Sequence, residues 1–399
     1  MSPSFVKGPL AAVSLLVATA VQAQSSYTLT TLKTANNVEG QPMVLDSQNN
    51  VVGAAPYYAG LGSVTQGKLG VRLLGTFGML YNLAPARWPA STAASVMPTR
   101  LGRLTGMPTA ISPNGSKFAM GADVYDSATG KLVYAQPTVA TPTVDGFPVS
   151  QLESVGRHRL LDDGSLVLNF ARETNEGVVA GFGLWSGSAN GRALLMQPVS
   201  QGRVLALTAT SANEVAGWAS QAGDDRVHAA YWSSGQLQVL DTRPDRSTVT
   251  MRTALGLRLI CEQPLTRPSP SYLDGGRPFV IGGGVVSDIA PLNPGELVSA
   301  RGLNNQGFVV GASGPQVTAS QVAPQSVACS DTTPKSSRAI IWQYGKTHDL
   351  NEWVASRGLK LPAGSVLAEA LDINAQNSIL AVLRAANGSL SYVRLTAQP

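Results

Sequence analysis

The chain has 399 residues, of which 44% are hydrophobic and 13% charged, and its 29 Lys and Arg against 24 Asp and Glu give a formal net charge of +5. The basic residues are scattered, with no basic cluster and no basic–aromatic alternation, which excludes nucleic-acid binding as the expected function. The low charge, 41 Gly, 25 Pro and many Thr/Val/Leu runs favour an all-β protein with many turns.

The first 23 residues have the parts of a secretory signal peptide. Lys7 supplies the positive charge, residues 10–21 are apolar, and Val21-Gln22-Ala23 places small residues where a signal peptidase cleaves. No later stretch approaches 18 uncharged apolar residues, so no transmembrane segment is expected. The sequence therefore predicts a signal peptide over 1–23, a single mature domain over 24–399, and a secreted protein, either periplasmic or extracellular.

A nine-residue pattern recurs along the mature chain. Its nine positions are, in order, an apolar residue, a usually polar residue, two unrestricted residues, Asn or Gly, an unrestricted residue, a usually aliphatic residue, an unrestricted residue and a usually small residue. Its copies are Leu45–Gly53, Ile111–Ala119, Leu160–Leu168, Ala209–Gly217, Leu303–Gly311 and Ile373–Ala381. The fifth residues are Asn49, Gly115, Gly164, Asn213, Gly307 and Asn377. Asn and Gly tolerate a positive φ, so each copy predicts a β-hairpin with a tight turn.

The spacing of the copies predicts the architecture. Two of the five intervals between copies are 49 residues, within the roughly 45–50 residues of one four-stranded propeller blade, and the longer intervals of 66, 70 and 94 residues indicate insertions. The long interval between Gly217 and Gly311 leaves room for a degenerate copy. We therefore predict a β-propeller of about six to seven four-stranded blades, with an irregular insert around 241–291.

A tryptophan completes the repeating unit. An apolar stretch ends in tryptophan in four units, at Trp88, Trp185, Trp232 and Trp342. A repeated tryptophan can serve as a ligand platform, but a fixed place in each unit favours a residue that packs one blade on the next.

The two ends of the mature chain carry matching strand patterns. Residues 26–32 largely alternate apolar and polar side chains, and residues 390–395 form a comparable short strand. We expect these segments to pair within one blade, because joining the termini closes the ring and removes exposed strand edges.

Two cysteines, Cys261 and Cys329, lie on either side of the Leu303–Gly311 copy. In a secreted protein such a pair predicts a disulfide. A redox or nucleophilic cysteine is the alternative.

Catalytic motifs are sparse in this chain. The densest ionisable cluster contains Asp224, Asp225 and His228, which can bind a sugar or supply acid and base groups, but a polar hairpin tip is the preferred explanation. His158, His228 and His348 can form a metal site only if they meet across the propeller axis, and His348 is expected at a surface turn. We therefore predict no metal and no cofactor, and treat the three cluster residues as weak catalytic candidates.

The motifs quoted above resemble the HAF-type secreted repeat proteins of bacteria. Residues 300–311 are the closest match to the phrase A-x-A-I-N-x-x-G-x-V-V-G of that family, and Ile340–Trp342, Asp349–Asn351 and Ala370–Asn374 complete a typical unit. The middle copies depart from the phrase, with Leu160-Leu161 and Ala209-Thr210 in place of Ile-Asn. The resemblance spans most of the mature chain and is strongest over the last hundred residues or so. It implies a secreted β-propeller-like protein with no common chemistry.

These observations predict a secreted or cell-surface repeat protein that acts as a non-enzymatic binding module, with an extracellular glycan or a surface protein as its partner. A glycan hydrolase or lyase built on a propeller is the main alternative. Axial carboxylates or a His–Tyr–Arg set from different blades would carry that reaction. A subunit of a surface or secretion assembly is a third interpretation, and it predicts a large exposed apolar patch.

Overall fold

The fold was analysed in a computed structural model. The described residues are 26–398 apart from 35–39, 62–71, 75–78, 136–142, 146, 149–150, 154–158, 187–189, 212, 221–226, 234–235, 241–245, 253–257, 264–276, 283–284 and 316–335.

The first half of the chain consists of short antiparallel strands joined by turns. In chain order they are β1 (Tyr27–Leu32), β2 (Gln41–Leu45), β3 (Val51–Leu61), β4 (Arg72–Leu74), β5 (Met79–Trp88), β6 (Ser95–Val96), β7 (Thr99–Arg100), β8 (Ala110–Ile111), β9 (Lys117–Met120), β10 (Asp123–Asp126) and β11 (Leu132–Tyr134). They are followed by β12 (Thr143–Val144), β13 (Phe147–Pro148), β14 (Gln151–Glu153), β15 (Leu166–Thr174), β16 (Gly177–Trp185) and β17 (Asn190–Pro198).

The second half continues the pattern and adds one short helix. Its strands are β18 (Val204–Ser211), β19 (Glu214–Ala219), β20 (His228–Ser233), β21 (Gln236–Val239), β22 (Arg246–Arg252), β23 (Arg258–Gln263), β24 (Arg277–Gly282) and β25 (Val285–Asp288). The last are β26 (Leu297–Leu303), β27 (Val309–Gly314), β28 (Arg338–Gln343), β29 (Lys346–Asp349), β30 (Val366–Ile373), β31 (Ile379–Arg384) and β32 (Leu390–Ala397), with helix α1 (Leu350–Ala355) between β29 and β30.

Within the described residues these strands form seven hydrogen-bonded sheets, numbered here along the chain. Sheet I is β2-β3-β5-β4 with β7 on β5, and sheet II is β8-β9-β10-β11. Sheet III is β14-β15-β16-β17-β12-β13, and sheet IV is β18-β19-β20-β21. Sheet V is β22-β23-β24-β25, sheet VI is β26-β27-β28-β29, and sheet VII is β30-β31-β32-β1-β6.

Apolar packing arranges the sheets in a ring. Seven clusters of buried side chains each join two consecutive sheets, from I/II through VI/VII and back to VII/I. First strands of neighbouring sheets contact one another, as β26 does with β30 and β18 with β22. They therefore surround the axis, and the predicted β-propeller is confirmed.

The chain termini close this ring. β1 pairs antiparallel with β32 over its whole length, from Tyr27 opposite Ala397 to Leu32 opposite Tyr392. The N-terminal strand is thus the fourth strand of the C-terminal sheet, which confirms the predicted pairing.

The repeat copies form the turns between first and second strands. Five of their fifth residues have a positive φ: Asn49 (63°), Gly115 (67°), Gly164 (96°), Gly307 (81°) and Asn377 (62°). In sheet IV the same turn joins β18 to β19, where Ser211 pairs with Glu214 across Asn213. Residues 241–291 contribute sheet V, which fills the degenerate position that the spacing predicts.

The four repeat tryptophans lie between sheets. Trp88 is 0%, Trp185 2%, Trp232 7% and Trp342 6% exposed. Each lies on the third strand of its sheet and belongs to the cluster shared with the preceding sheet. This position is that of a packing residue. Among the described residues, no helix combines the length and the apolar character needed to cross a membrane.

Candidate functional site

The first strands carry a bulge at one position of the repeat. The pairing register shifts around Met43 in β2, Leu207 in β18, Arg301 in β26 and Leu371 in β30, each two residues before a repeat copy. A bulge re-aims the side chain of the extra residue. Arg301 is the charged member of this set. His158 holds the corresponding place before Leu160 and lies outside the described residues.

Arg301 forms a buried ion pair between sheets VI and VII. Its Nε lies 2.6 Å from Glu369 Oε1, and the two side chains are 9% and 5% exposed. Asp372, on the same strand as Glu369, accepts hydrogen bonds from the backbone N–H of Leu45 at 2.7 Å and of Ile373 at 2.9 Å. Both first-strand carboxylates with described side chains are therefore engaged in contacts that join neighbouring sheets or shape β30.

This arrangement bears on glycoside hydrolysis, which needs two carboxyl groups facing each other across a substrate, ~5–9 Å apart. Glu369 and Asp372 come from one strand, and each is bonded to protein groups. A carboxylate oxygen that is held in a buried ion pair is not placed to exchange a proton with a substrate.

A second group of polar and aromatic side chains lies where sheets VI and VII meet. We call it the aromatic–basic cluster, and its members are Tyr27, Phe308, Tyr344, His348, Trp353 and Arg357. Strand β1 contributes the first, the turns and strands of sheet VI the next three, and helix α1 with its following turn the last two. Tyr27 and Phe308 belong to the apolar core between these sheets, and Trp353 packs against that core.

Local sequence positions α1 at this junction. Asp349 Oδ1 accepts a hydrogen bond from the Asn351 N–H, which caps the N-terminus of α1, and Asp349 Oδ2 lies 2.6 Å from Arg338 Nη2. The Asn351 side chain accepts a hydrogen bond from the Leu367 N–H and donates one to the Leu367 carbonyl. The Asp-Leu-Asn segment thus fixes the helix to the first strand of sheet VII.

Tyr344 is the most exposed aromatic residue of the cluster. It is 80% exposed, and its φ of 49° is unusual for a bulky side chain. Its ring meets Phe308 edge-on, with 6.0 Å between ring centroids. The hairpin tip therefore exposes an aromatic ring to solvent, in a backbone conformation that is unfavourable for tyrosine.

Arg357 is held against Trp353. Its Cζ lies 3.3 Å from the centroid of the indole ring, and Nη1 donates to the Trp353 carbonyl at 3.0 Å. Trp353 also contacts His348, with ring centroids 5.6 Å apart. The pKa of His348 is lowered by burial and by the charges of Lys346 and Arg357, so this imidazole is neutral at pH 7.

Tyr27 closes the inner side of the cluster. Its hydroxyl donates to the Asn377 carbonyl at 3.1 Å. Burial raises the pKa of Tyr27, while Trp353 and Arg357 oppose the rise. The phenol is therefore protonated at neutral pH, and its proton is already committed to a carbonyl, which is unfavourable for a general base.

The residues singled out from the sequence fall in several places. Asp224 and Asp225 lie outside the described residues, in the connection between β19 and β20, and His228 is the first residue of β20. His348 lies in strand β29 rather than in the expected surface turn. Within the described part of the chain, no group of three or more His, Cys, Asp or Glu is placed to hold a metal ion.

The predicted disulfide falls partly outside the described residues. Cys261 is in β23, two residues before the connection to β24, whereas Cys329 lies in the undescribed connection between β27 and β28.

Exposed large apolar side chains are spread around the ring. They are Met97, Leu132, Val133, Val178, Val239, Val285, Val286 and Tyr344. They come from six sheets or their connections, so a single large apolar patch, as an assembly subunit would present, is not formed by these residues.

Comparisons with known proteins add little to this geometry. No family model and no curated protein matches the chain. A solved acylaminoacyl peptidase complex is 11% identical with a TM-score of 0.48, covering 94% of this chain and 51% of that chain. A putative TolB from Agrobacterium tumefaciens is 10% identical with a TM-score of 0.37, covering 73% of this chain and 89% of that chain. A prolyl endopeptidase is 11% identical with a TM-score of 0.40, covering 80% of this chain and 46% of that chain.

This chain spans about half the length of the two peptidases. All three TM-scores are below 0.5, so the propeller assignment rests on the seven sheets and the seven clusters between them.

The aromatic–basic cluster was not predicted from the sequence. Trp353 and Arg357 are four residues apart, a spacing that places two side chains together on a helix, and His348 lies five residues before Trp353. This spacing can be recognised in the sequence. The approach of Tyr27 to Trp353 cannot, because Tyr27 comes from the other end of the chain.

Proposed function

We propose that this chain is a secreted β-propeller protein of the HAF repeat type that binds an extracellular ligand, a glycan or a surface protein, without transforming it. The observation that carries the non-enzymatic part is the engagement of Glu369 and Asp372 in contacts with neighbouring protein groups. A rigid ring with no free first-strand carboxylate among its described side chains supports binding rather than hydrolysis.

The secretory part of the proposal rests on the N-terminal segment. Expression of the full chain in a bacterial host, followed by fractionation and N-terminal sequencing, should yield an exported protein that starts at Gln24. Cytoplasmic protein that retains residues 1–23 would contradict export.

The disulfide is part of the same proposal. Cys261 and Cys329 belong to corresponding second-to-third-strand regions of the adjacent sheets V and VI, which supports their pairing. Closing this loop would stabilise the fold by about 4 kcal/mol. Intact mass after alkylation without reduction should show no modified thiol, and two alkylated cysteines would remove the disulfide.

A glycan lyase is the second candidate, because His348, Arg357 and Tyr27 come together from sheets VI and VII. The hydrogen bond from Tyr27 to Asn377 and the raised pKa of Tyr27 count against it.

One experiment separates the two candidates. Purified residues 24–399 are applied to an array of neutral and acidic glycans, and the masses of the recovered sugars are measured by mass spectrometry. Heat-unfolded protein is the control for non-specific adhesion to the array. Retention of glycans with unchanged mass is the expected result. Shortened or unsaturated products would overturn the proposal in favour of an enzyme, and no retention would remove glycans as ligands.

A further inference from the structure

Among the described residues, the cation of the aromatic–basic cluster has no counter-charge. None of their ion pairs includes Arg357, and Asp349 is already paired with Arg338. Glu352, in helix α1 before Arg357, is exposed and forms no ion pair among these residues. Arg357 uses Nη1 for the Trp353 carbonyl and for Ser356 Oγ, which leaves the rest of its guanidinium for an external acceptor.

Arg357 is also fixed in place before any ligand arrives. Stacking on the indole ring and the hydrogen bond to the Trp353 carbonyl hold the guanidinium plane, so little side-chain entropy remains to be lost on binding. A fixed guanidinium with free N–H groups matches the geometry of a carboxylate, which accepts two parallel hydrogen bonds.

The surroundings of Arg357 add positive charge and polar capacity. Lys346 and His348 share one face of β29, because side chains two residues apart point to the same side of a strand. Lys346 is exposed, and the half-buried His348 is neutral, so it can exchange hydrogen bonds with hydroxyl groups. Arg357 is therefore accompanied by a second cation, Lys346, beside the cluster and by a neutral hydrogen-bonding ring, His348, within it.

Tyr344 lies at the tip of the hairpin that joins β28 to β29, two residues before Lys346. Its exposed ring offers a flat apolar face of the kind that sugar rings cover. A site that combines this ring with the Arg357 guanidinium favours a ligand of several units over a single small anion.

We propose that the aromatic–basic cluster binds a uronic-acid polysaccharide, with Arg357 holding a sugar carboxylate and Tyr344 stacking on a neighbouring sugar ring. This inference rests on the proposed binding function and names the ligand class and the site. Charge complementarity selects an acidic polymer, and the exposed aromatic ring selects a sugar over an acidic peptide.

The test is a calorimetric titration of residues 24–399 with tetragalacturonic acid and with its fully methyl-esterified form, which keeps the rings and removes the charges. Four proteins are compared: the unchanged chain, Arg357→Gln, Tyr344→Ala, and Lys131→Gln, which removes an exposed cation from the hairpin of sheet II. Melting temperatures of all four establish that each is folded.

The acid should bind and the ester should bind at least ~10-fold more weakly, because a charge-assisted hydrogen bond is lost. Arg357→Gln should weaken binding of the acid by a similar factor, Tyr344→Ala by ~3–10-fold, and Lys131→Gln not at all. Tyr344→Ala leaves α1 untouched, so it reports on the site even if Arg357→Gln disturbs the helix.

Three results would overturn the inference: equal affinity of the acid and its ester, equal affinity of Arg357→Gln and Lys131→Gln, or binding of poly-glutamate as tightly as the uronate. Retention of neutral glycans on the array, unaffected by Arg357→Gln, would leave the proposed function standing and remove this site. Absence of any glycan binding would remove this site and leave a surface protein as the ligand of the proposed function.

Discussion

The hairpin turns of sheets VI, VII and I differ from those of sheets III and IV at the second position of the repeat. The first group has Asn304, Asn374 and Asp46 there, whereas the second has Leu161 and Thr210. The difference changes how each sheet is attached to its neighbour.

In sheets VI and VII one polar side chain closes its own turn and also bonds to the next sheet, whereas Asp46 of sheet I accepts from the Gln48 and Asn50 N–H groups of its own turn. Asn374 Oδ1 accepts hydrogen bonds from the N–H groups of Gln376 and Ser378, both at 3.0 Å, and so closes its own turn. Its Nδ2 donates to the Asp46 carbonyl at 2.8 Å and to Asn49 Oδ1 at 2.9 Å, in the next sheet. Asn304 makes the same contacts with its own turn and with the turn of sheet VII.

In the second group, the residue at the second position does not both close its turn and attach the sheet to its neighbour. Leu161 packs in the apolar core between sheets III and IV, and its turn is closed by Asp163, which accepts from the Ser165 N–H at 2.7 Å. Thr210 bonds to Glu214 within its own hairpin at 3.0 Å. The ring therefore tolerates either polar or apolar attachment, but the polar version links turn and neighbour through one residue.

The largest effect is expected where sheets VI and VII share a buried charge. Glu369→Ala removes the carboxylate that pairs with the buried Arg301, and we expect a loss of about 3–5 kcal/mol in the free energy of unfolding. Denaturant titration measures it, with the exposed Glu352→Ala as the control, which should change stability by less than about 0.5 kcal/mol. Equal effects of the two variants would mean that the ion pair does not join these sheets.

Asn374→Ala tests the difference between the two groups of hairpin turns. The substitution removes two hydrogen bonds to turn N–H groups and two to acceptors of sheet I, and should lower stability by about 2–4 kcal/mol. Thr210→Ala, at the same repeat position in sheet IV, should cost only about 0.5–1.5 kcal/mol. Similar losses in both variants, measured by denaturant titration, would show that the second position has no special role in sheets VI, VII and I.

Much of the ring was predictable from the sequence because its signals are local. The turn residues and the tryptophans recur at fixed places within each unit, and the alternating strand at each terminus indicates closure. The ion pair between Arg301 and Glu369 and the approach of Tyr27 to Trp353 were not predictable, because they join residues from different units. Only the packing of one sheet on another brings such residues together.

Close packing at the junction of sheets I and II gives the next smaller effect. A Cβ at Gly115 would lie 2.3 Å from Asp46 Cβ, in a residue with a φ of +67°. Gly115→Ala should therefore cost about 2–3 kcal/mol, from the strained backbone and the overlap together. Gly388→Ala is the matched control, since its φ is +81° and a Cβ there meets nothing within 4 Å. It should cost about 1 kcal/mol, and an equal loss at Gly115 in thermal unfolding would contradict the predicted overlap.

The smallest effect on stability is expected at Asn49, where a substitution removes a hydrogen bond between two sheets and leaves the turn intact. Asn49→Gly keeps the positive φ of the turn and removes the Oδ1 atom that accepts from Asn374. We expect a loss of about 0.5–1 kcal/mol, the value of one hydrogen bond. In an Asn374→Ala background the same change should have almost no effect on unfolding, and an undiminished loss there would show that the two side chains do not interact.

The central functional claim is that ligand binds where sheets VI and VII meet. Amide hydrogen exchange of residues 24–399 with and without tetragalacturonic acid tests it most directly. Binding at this junction should slow the amide exchange of residues 344–358 and leave the exchange of the sheet II hairpin around Lys131 unchanged. Protection confined instead to the connection between β19 and β20, which contains Asp224 and Asp225, would contradict the claim and move the site to another part of the ring.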